Sequence, residues 1–376
     1  MKKILYVRSG PYQVDPSSYN LQELGLASAL KDAGYECDVL YYHKKMNYDQ
    51  NIIVNGNSIK ILWRKGIRLL RSGVYPQVLR KDVLSQYDCV ICSEYSQIMS
   101  VLLLRNHDNV YIYNGPYYNL FKIPVIEPIY DFLFCKFINR KAKKIFSKTE
   151  MASMFLIEKG ISNVRTVGVG LDTSKFDEEL NIKSDTQILL NKMSGHRNLL
   201  YIGSIIKRKN VELLIKAFVE TKKHSNTEDV QLVLVGKGDK SYTEHCQSLV
   251  PEYLKNDVVW CEFVENAQTK FVYQAATAFV LPSIQEIFGM VLLEAMYFET
   301  PVISSHSAGA GTLIKSGENG IIVEEFDEHK WAQAMLSLLE EPEKTKQLGK
   351  EASATIRNEF MWDGIVKKML REIEYE

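Results

Sequence analysis

Glu286 and Glu294 stand eight positions apart in EIFGMVLLEAM, a run that is otherwise almost wholly apolar. An ionised carboxylate is costly to bury without a partner, so each must meet a polar group that the rest of the chain or a ligand supplies. A carboxylate one turn inside a helix can accept two hydroxyls at once, as a vicinal ribose diol requires, and one on the preceding loop can reach a second hydroxylated group. Gly289 permits close backbone approach, and the first N–H groups of a helix starting near Met290 can donate to phosphate. A second stretch, YIGSIIKRKNVELLIKAF, ends an apolar run at Gly203 and opens a helical pattern near Asn210 or Val211. Arg208 and Lys209 then lie just ahead of a helix N-terminus, an arrangement that suits an anion. Taken singly, each motif has a plainer alternative: a surface acid and a helical salt bridge for the glutamates, a solvated basic loop for the cations.

The elements that would position these residues follow a βαβ rhythm. KILYVRS, YNLQELGLASALKDAG, ECDVLYY, YDCVICSE and NVYIYNG form a first series. A polar stretch near 175–197 interrupts it, and NLLYIGS, VELLIKAFVETKKH, VQLVLVGKG, AFVLPS and TPVISS restart it. The pattern predicts α/β architecture with parallel sheets in two doubly wound domains. A length of 376 residues also exceeds what one core usually organises. Ligands bind such sheets outside the carboxyl ends of the strands, and both motifs fall on strand-to-helix loops.

Four collinear blocks resemble the family 4 retaining glycosyltransferases: PSIQEIFGMVLLEAMYFETPVI with its Glu-x7-Glu spacing, YIGSIIKRKNVELLIKAF, VGVGLDTSKF and SGENGIIV. The resemblance implies the GT-B fold, two Rossmann-like domains facing across a cleft. Residues 1–175 would bind the acceptor and 176–359 the nucleotide sugar, with a C-terminal helix at about 360–376 packing back onto the first domain. It implies that Lys209 binds the donor diphosphate, Glu286 the transferred sugar and Glu294 the ribose hydroxyls. Lys209 and Glu286 would be the catalytic pair. Gly203, Ser204, Arg208, Phe288, Gly289, Met290 and Val291 would complete the donor site, and Val264 would lie beside the base. The chain departs from the family pattern at Ser204, where Arg is usual, and at Ser17 and Ser18, which replace a Gly-Gly loop. Asn114 stands in place of His, and Thr312 in place of an acid. Ser17, Ser18 and Asn114 would line the N-domain side of the cleft.

Retaining sugar transfer from a UDP-linked donor to a glycan or lipid-linked acceptor, in cell-envelope, capsular or exopolysaccharide synthesis, is the activity the resemblance implies. No cofactor beyond the nucleotide sugar is expected. The chain has no Asp-x-Asp, so no divalent metal is expected either. The alternatives are a nucleotide-sugar-binding protein without turnover and another GT-B enzyme such as a nucleotide-sugar epimerase. A dinucleotide dehydrogenase is disfavoured, because VGVGLD and VGKGDK lack the third glycine of that fingerprint.

The net charge of zero conceals an asymmetry: residues 1–175 hold 24 Lys and Arg against 15 Asp and Glu. Two clusters without acids, 60–81 with seven basic residues and 136–148 with six, carry much of it. On a helical wheel 60–81 places Arg64, Lys65, Arg68 and Arg71 on one side and Leu62, Trp63, Ile67, Leu69 and Leu70 on the other. That predicts an amphipathic basic helix on an anionic membrane surface, with 136–148 as a second contact, or a core-facing helix with a solvated basic face. Nucleic acid is not expected, since no recognition motif accompanies the charge. The opening MKKILYVRSG is too short in apolar residues for a signal peptide, and no run of about 18 apolar residues follows. With six thinly spread cysteines expected in the core, the reading is a cytoplasmic protein, peripheral on the inner face of the membrane.

Overall fold

The computed structural model describes residues 2–18, 21–177 and 181–374. The chain divides into two compact units, Met1–Asp172 with Phe360–Glu376, and Thr173–Glu359.

The first unit holds strands β1 (Lys3–Val7), β2 (Glu36–His43), β3 (Tyr48–Val54), β4 (Asn57–Lys65), β5 (Ile67–Leu69), β6 (Ser72–Val74), β7 (Cys89–Ser93), β8 (Val110–Asn114), β9 (Ile145–Ser147) and β10 (Val164–Thr166). Eight of them form one sheet in the order β10-β9-β8-β7-β1-β2-β4-β3, and a separate hairpin pairs β5 with β6. All pairs in the large sheet are parallel except β3 with β4. Near-continuous apolar runs such as CVICS fit strands covered on both faces, which is the usual condition of a parallel sheet. Cys89 and Cys92 of that run are buried free thiols, as are Cys37, Cys135 and Cys246, while Cys261 is half-buried.

The C-terminal helix Trp362–Glu374 belongs to this first unit. Leu171 N–H donates to the Phe360 carbonyl at 2.8 Å, and Lys144 pairs with Glu372 at 3.0 Å. The Trp362 indole lies so close to Gly25 and Gly170 that a Cβ at either position would come within 2.3 Å of it.

One expectation fails here. Residues 60–81 do not form a helix: they run through β4, the β5–β6 hairpin and a turn. Ile59, Ile61 and Trp63 alternate with Lys60, Leu62 and Arg64, a period of two, and the first three are buried on one face of the sheet. The basic side chains there largely serve neighbouring groups. Lys60 and Arg64 both pair with Asp49, at 2.9 and 2.7 Å, Arg71 pairs with Glu94 at 3.0 Å, and Arg68 Nε donates to the Pro11 carbonyl. Within the polar stretch near 175–197, Ser184–Met193 is helical and buries Thr186, Leu189 and Met193 at helical spacing.

The second unit holds β11 (Arg197–Ile202), β12 (Val230–Val235), β13 (Val258–Cys261), β14 (Ala278–Leu281), β15 (Val302–Ser305) and β16 (Ile321–Val323). Its sheet is wholly parallel, in the order β13-β12-β11-β14-β15-β16. The order runs outward one way from β11 and the other way from β14. The switch point of this sheet therefore lies between these two strands, and doubly wound sheets take ligands in the crevice at such a point.

Candidate active site

The loops after β11 and β14 carry the two motifs that opened the sequence reading, and the switch point brings them together. After β11 the chain passes Gly203 and Ser204, makes a 3₁₀ turn over Lys207–Lys209, and enters the helix Val211–Thr221 through Asn210 in the left-handed conformation. After β14 it passes Ile284 and Glu286 and enters the helix Met290–Tyr297 through Gly289, whose φ of +79° a side chain would oppose. Ile284 N–H donates to the Arg208 carbonyl at 2.9 Å and ties the loops together. Lys209 Nζ donates to Glu286 Oε2. The Arg208 guanidinium lies 3.6 Å from the same oxygen. Lys209 and Glu286 are both largely buried, whereas Arg208 is 43% exposed in its side chain. Two cations and one carboxylate therefore meet at the crevice mouth.

Glu294 is buried at 4% exposure, and its Oε2 accepts a hydrogen bond from Tyr273 Oη at 3.0 Å. Tyr273 is itself buried, and its ring stacks against Phe298. Both carboxylates of the motif therefore have partners from the chain: Lys209 for Glu286 and Tyr273 for Glu294. Tyr201, on β11, is buried, and its hydroxyl is pushed well above the ordinary phenol range by burial and then by the nearby Glu286 charge. It stays protonated and donates to the Ser204 carbonyl at 2.8 Å, which fixes the start of the loop after β11.

Residues 187–355 match the family model described as glycosyl transferases group 1. The second unit carries a group 1 glycosyl transferase domain. Among similar proteins are an uncharacterized glycosyltransferase of Methanocaldococcus jannaschii, 28% identical over 59% of this chain and 56% of that protein, and the alpha-maltose-1-phosphate synthase of Mycolicibacterium smegmatis, 30% identical over 45% and 46%. The chain spans about half the length of the curated relatives it matches. Similar solved structures include sucrose-phosphate synthase from Thermosynechococcus elongatus, with a TM-score of 0.72 at 19% identity over 100% of this chain and 99% of that one. Anabaena HepE in complex with UDP gives 0.74 at 16% over the whole of both chains. At these identities the likeness concerns the fold, and the fold is GT-B.

Within the glycosyl transferase domain, the loop holding Glu286 is pinned from behind. The short helix Ala308–Leu313 presses Gly309 against the Phe288 carbonyl so closely that a Cβ there would sit 1.6 Å from its oxygen. The Phe288 backbone therefore cannot retreat toward this helix, and Glu286 and Gly289 on either side are held with it. Gly309→Ala should cost on the order of 1–3 kcal/mol or more in stability through overpacking, read as a lower Tm. An unchanged Tm would show the packing to be dispensable.

The other predicted donor-site residues take varied positions. Phe288 and Val264 are buried, Ser204 is exposed, and Met290 and Val291 form the first turn of the helix after Gly289. Thr312, at the position where the family pattern has an acid, donates its hydroxyl to the Ala308 carbonyl at 2.8 Å. In the first unit, Ser17 and Ser18 are exposed, and Ser17 donates both its N–H and its hydroxyl to Asp15 Oδ1, which holds that carboxyl below its ordinary range. The Gln13–Pro16 turn, with Tyr48, Gln50 and Trp63, borders a pocket of about 400 Å³. Asn114 is the last residue of β8. It is fully buried, accepts from Tyr95 N–H at 3.2 Å and donates to the Pro116 carbonyl at 3.0 Å, so its amide holds backbone at the end of β8. Sequence reasoning missed Tyr273 and Gly309, since neither stands in a spacing that marks it.

Proposed function

We propose that this protein is a retaining glycosyltransferase that moves a sugar from a UDP-linked donor to a hydroxyl of a glycan or lipid-linked acceptor, in the synthesis of cell-envelope or related glycans. The observation that carries this reading is the meeting of Lys209, Arg208 and Glu286 at the switch point, eight residues before Glu294. In the proposed mechanism the acceptor hydroxyl attacks on the face from which the nucleoside diphosphate departs, through an oxocarbenium-like transition state. Negative charge develops on the leaving phosphate, and Lys209 with the N–H groups of the following helix stabilises it there. Arg208, beside the same carboxylate, supplies the second positive charge that Ser204 does not. The leaving phosphate takes the acceptor proton, and Glu286 orients the sugar while holding Lys209 in place.

A thermal-shift panel of nucleoside diphosphates and nucleotide sugars tests the donor, because a ligand bound to the native state raises Tm by mass action. Proton NMR of the first product tests retention through the anomeric configuration. A donor that binds but releases nucleoside diphosphate neither slowly alone nor faster with any acceptor would favour a binding protein without turnover. Isomerised donor would favour an epimerase. The cationic cluster also supports diphosphate departure without a divalent ion, so EDTA is expected to leave the transfer rate within about twofold of its starting value. Loss of transfer in EDTA with the fold intact, restored by magnesium or manganese, would overturn that expectation.

A further inference from the structure

The helix Ile126–Lys141 of the first unit covers the sheet with one face and leaves the other bare. Tyr130, Cys135 and Ile138 are buried. Ile129, Phe132, Leu133, Lys136 and Arg140 recur at spacings of three and four residues, so they form a single outward stripe. Phe132 is 86% exposed, Leu133 58% and Ile129 54%, and Lys136 and Arg140 are exposed as well. The segment leading into the helix adds exposed Ile123 and Val125 beside Lys122. Scattered single apolar side chains need no explanation on a protein surface, but a contiguous run of this kind does.

The charge on this face has one sign. The helix contains two acids, Glu127 and Asp131, and Lys159 of the neighbouring helix Glu150–Glu158 and its C-cap pairs with both. Neither acid offsets the cations of the outer stripe. The β5–β6 hairpin joins the same region, because Arg71 lies 5.5 Å from the Phe121 ring centroid, directly before Lys122. Its exposed residues include Leu69 and Leu70. No described helix is long and apolar enough to cross a membrane. Bare apolar side chains set beside unopposed cations match an interface where acyl chains lie just beneath anionic headgroups.

We infer that the outer face of helix Ile126–Lys141, with Ile123 and Val125 ahead of it, docks this protein on an anionic lipid surface, Phe132 and Leu133 entering the headgroup layer and Lys136 and Arg140 meeting lipid phosphates. This deepens the proposed function, in which the acceptor can be lipid-linked, and moves the expected contact from 60–81 to a helix that includes the start of the cluster at 136–148. Docking holds the first unit at the surface where such an acceptor presents its headgroup.

Flotation of the full chain with vesicles tests this without donor, acceptor or turnover, so its failure is distinct from failure of the transferase reading. The probes are vesicles of phosphatidylcholine alone and of an equal mixture with phosphatidylglycerol, at low and at physiological salt. Binding is expected to the anionic vesicles, at least tenfold weaker to the neutral ones, and weakened by salt. Lys136→Gln with Arg140→Gln should reduce anionic binding about 25-fold, about fivefold for each cation. Phe132→Ser with Leu133→Ser should reduce it more than tenfold while Tm stays put, because both side chains are exposed. Absence of binding to anionic vesicles at low salt overturns the inference, as does binding that neither double variant weakens. Failure to float, together with a concentration-dependent dimer that Phe132→Ser with Leu133→Ser abolishes, would assign the face to a second copy of the chain instead.

Discussion

Lys209→Met should lower kcat by about two to three orders of magnitude, the cost of removing one preorganised donor from a developing anion, roughly 2.7–4 kcal/mol. Lys209 is largely buried and bonded to Glu286, so its ammonium is held before the donor arrives and needs little reorganisation during transfer. Because the charge it meets grows only as the phosphate leaves, the loss should fall on kcat with KM for the donor changed much less. Arg208, 3.6 Å from Glu286 and more exposed, keeps that carboxylate from being stranded in the variant, so a modest fall in Tm is expected rather than unfolding. Lys209→Arg should recover part of the rate. Steady-state kinetics against donor concentration decide the matter: a kcat within about threefold of wild type would remove Lys209 from the chemistry.

Glu294→Ala should cost nucleotide affinity by about 100-fold or more. A carboxylate taking two hydroxyls of a ribose makes two charge-assisted hydrogen bonds, each worth roughly 1.5–3 kcal/mol, and loss of even the lower total corresponds to a factor of about 150 in Kd. The buried Tyr273 hydroxyl that donates to Glu294 loses its acceptor in the same variant, so some stability goes as well. Isothermal titration with UDP separates these effects. Glu294→Gln keeps an acceptor for Tyr273 and should restore Tm while leaving affinity low. If Glu294→Ala binds UDP as tightly as wild type, the carboxylate serves the fold through Tyr273 and has no role in the ribose.

The two variants probe residues whose legibility in the sequence differed. The Glu-x7-Glu run and the Lys-Arg loop were readable because each is local: an apolar strand, a glycine, a charged group and a helical repeat within about 20 residues. Short-range periodicity also placed Met290–Tyr297 and Val211–Thr221 near their observed starts. It failed at 60–81, where a helical wheel sorted the charges well and missed the period-two burial of Ile59, Ile61 and Trp63. Basic side chains that seemed to form one face are spent on Asp49, Glu94 and the Pro11 carbonyl, partners that lie outside the segment. Charge counting cannot reveal such neutralisation, since it depends on which strand lies alongside. The reverse holds for 126–141. Its two acids are drawn to the inner side by Lys159, which lies outside the segment, and the outer stripe is left positive.

The sequence by itself determined that this chain alternates strands and helices into parallel sheets, and that one strand-to-helix loop carries a cation pair while another carries a carboxylate with a second on the helix behind it. Those properties are written in spans of a few turns. Only the tertiary structure decided that Lys209 closes on Glu286 across 77 residues, that Tyr273 bonds Glu294, and that Gly309 backs the Phe288 carbonyl. The first of these depends on β14 lying beside β11 rather than beside β13, its predecessor in the chain. Strand order is a non-local choice, set by how all six strands and their covering helices bury one core, so no local pattern could fix which loops would meet.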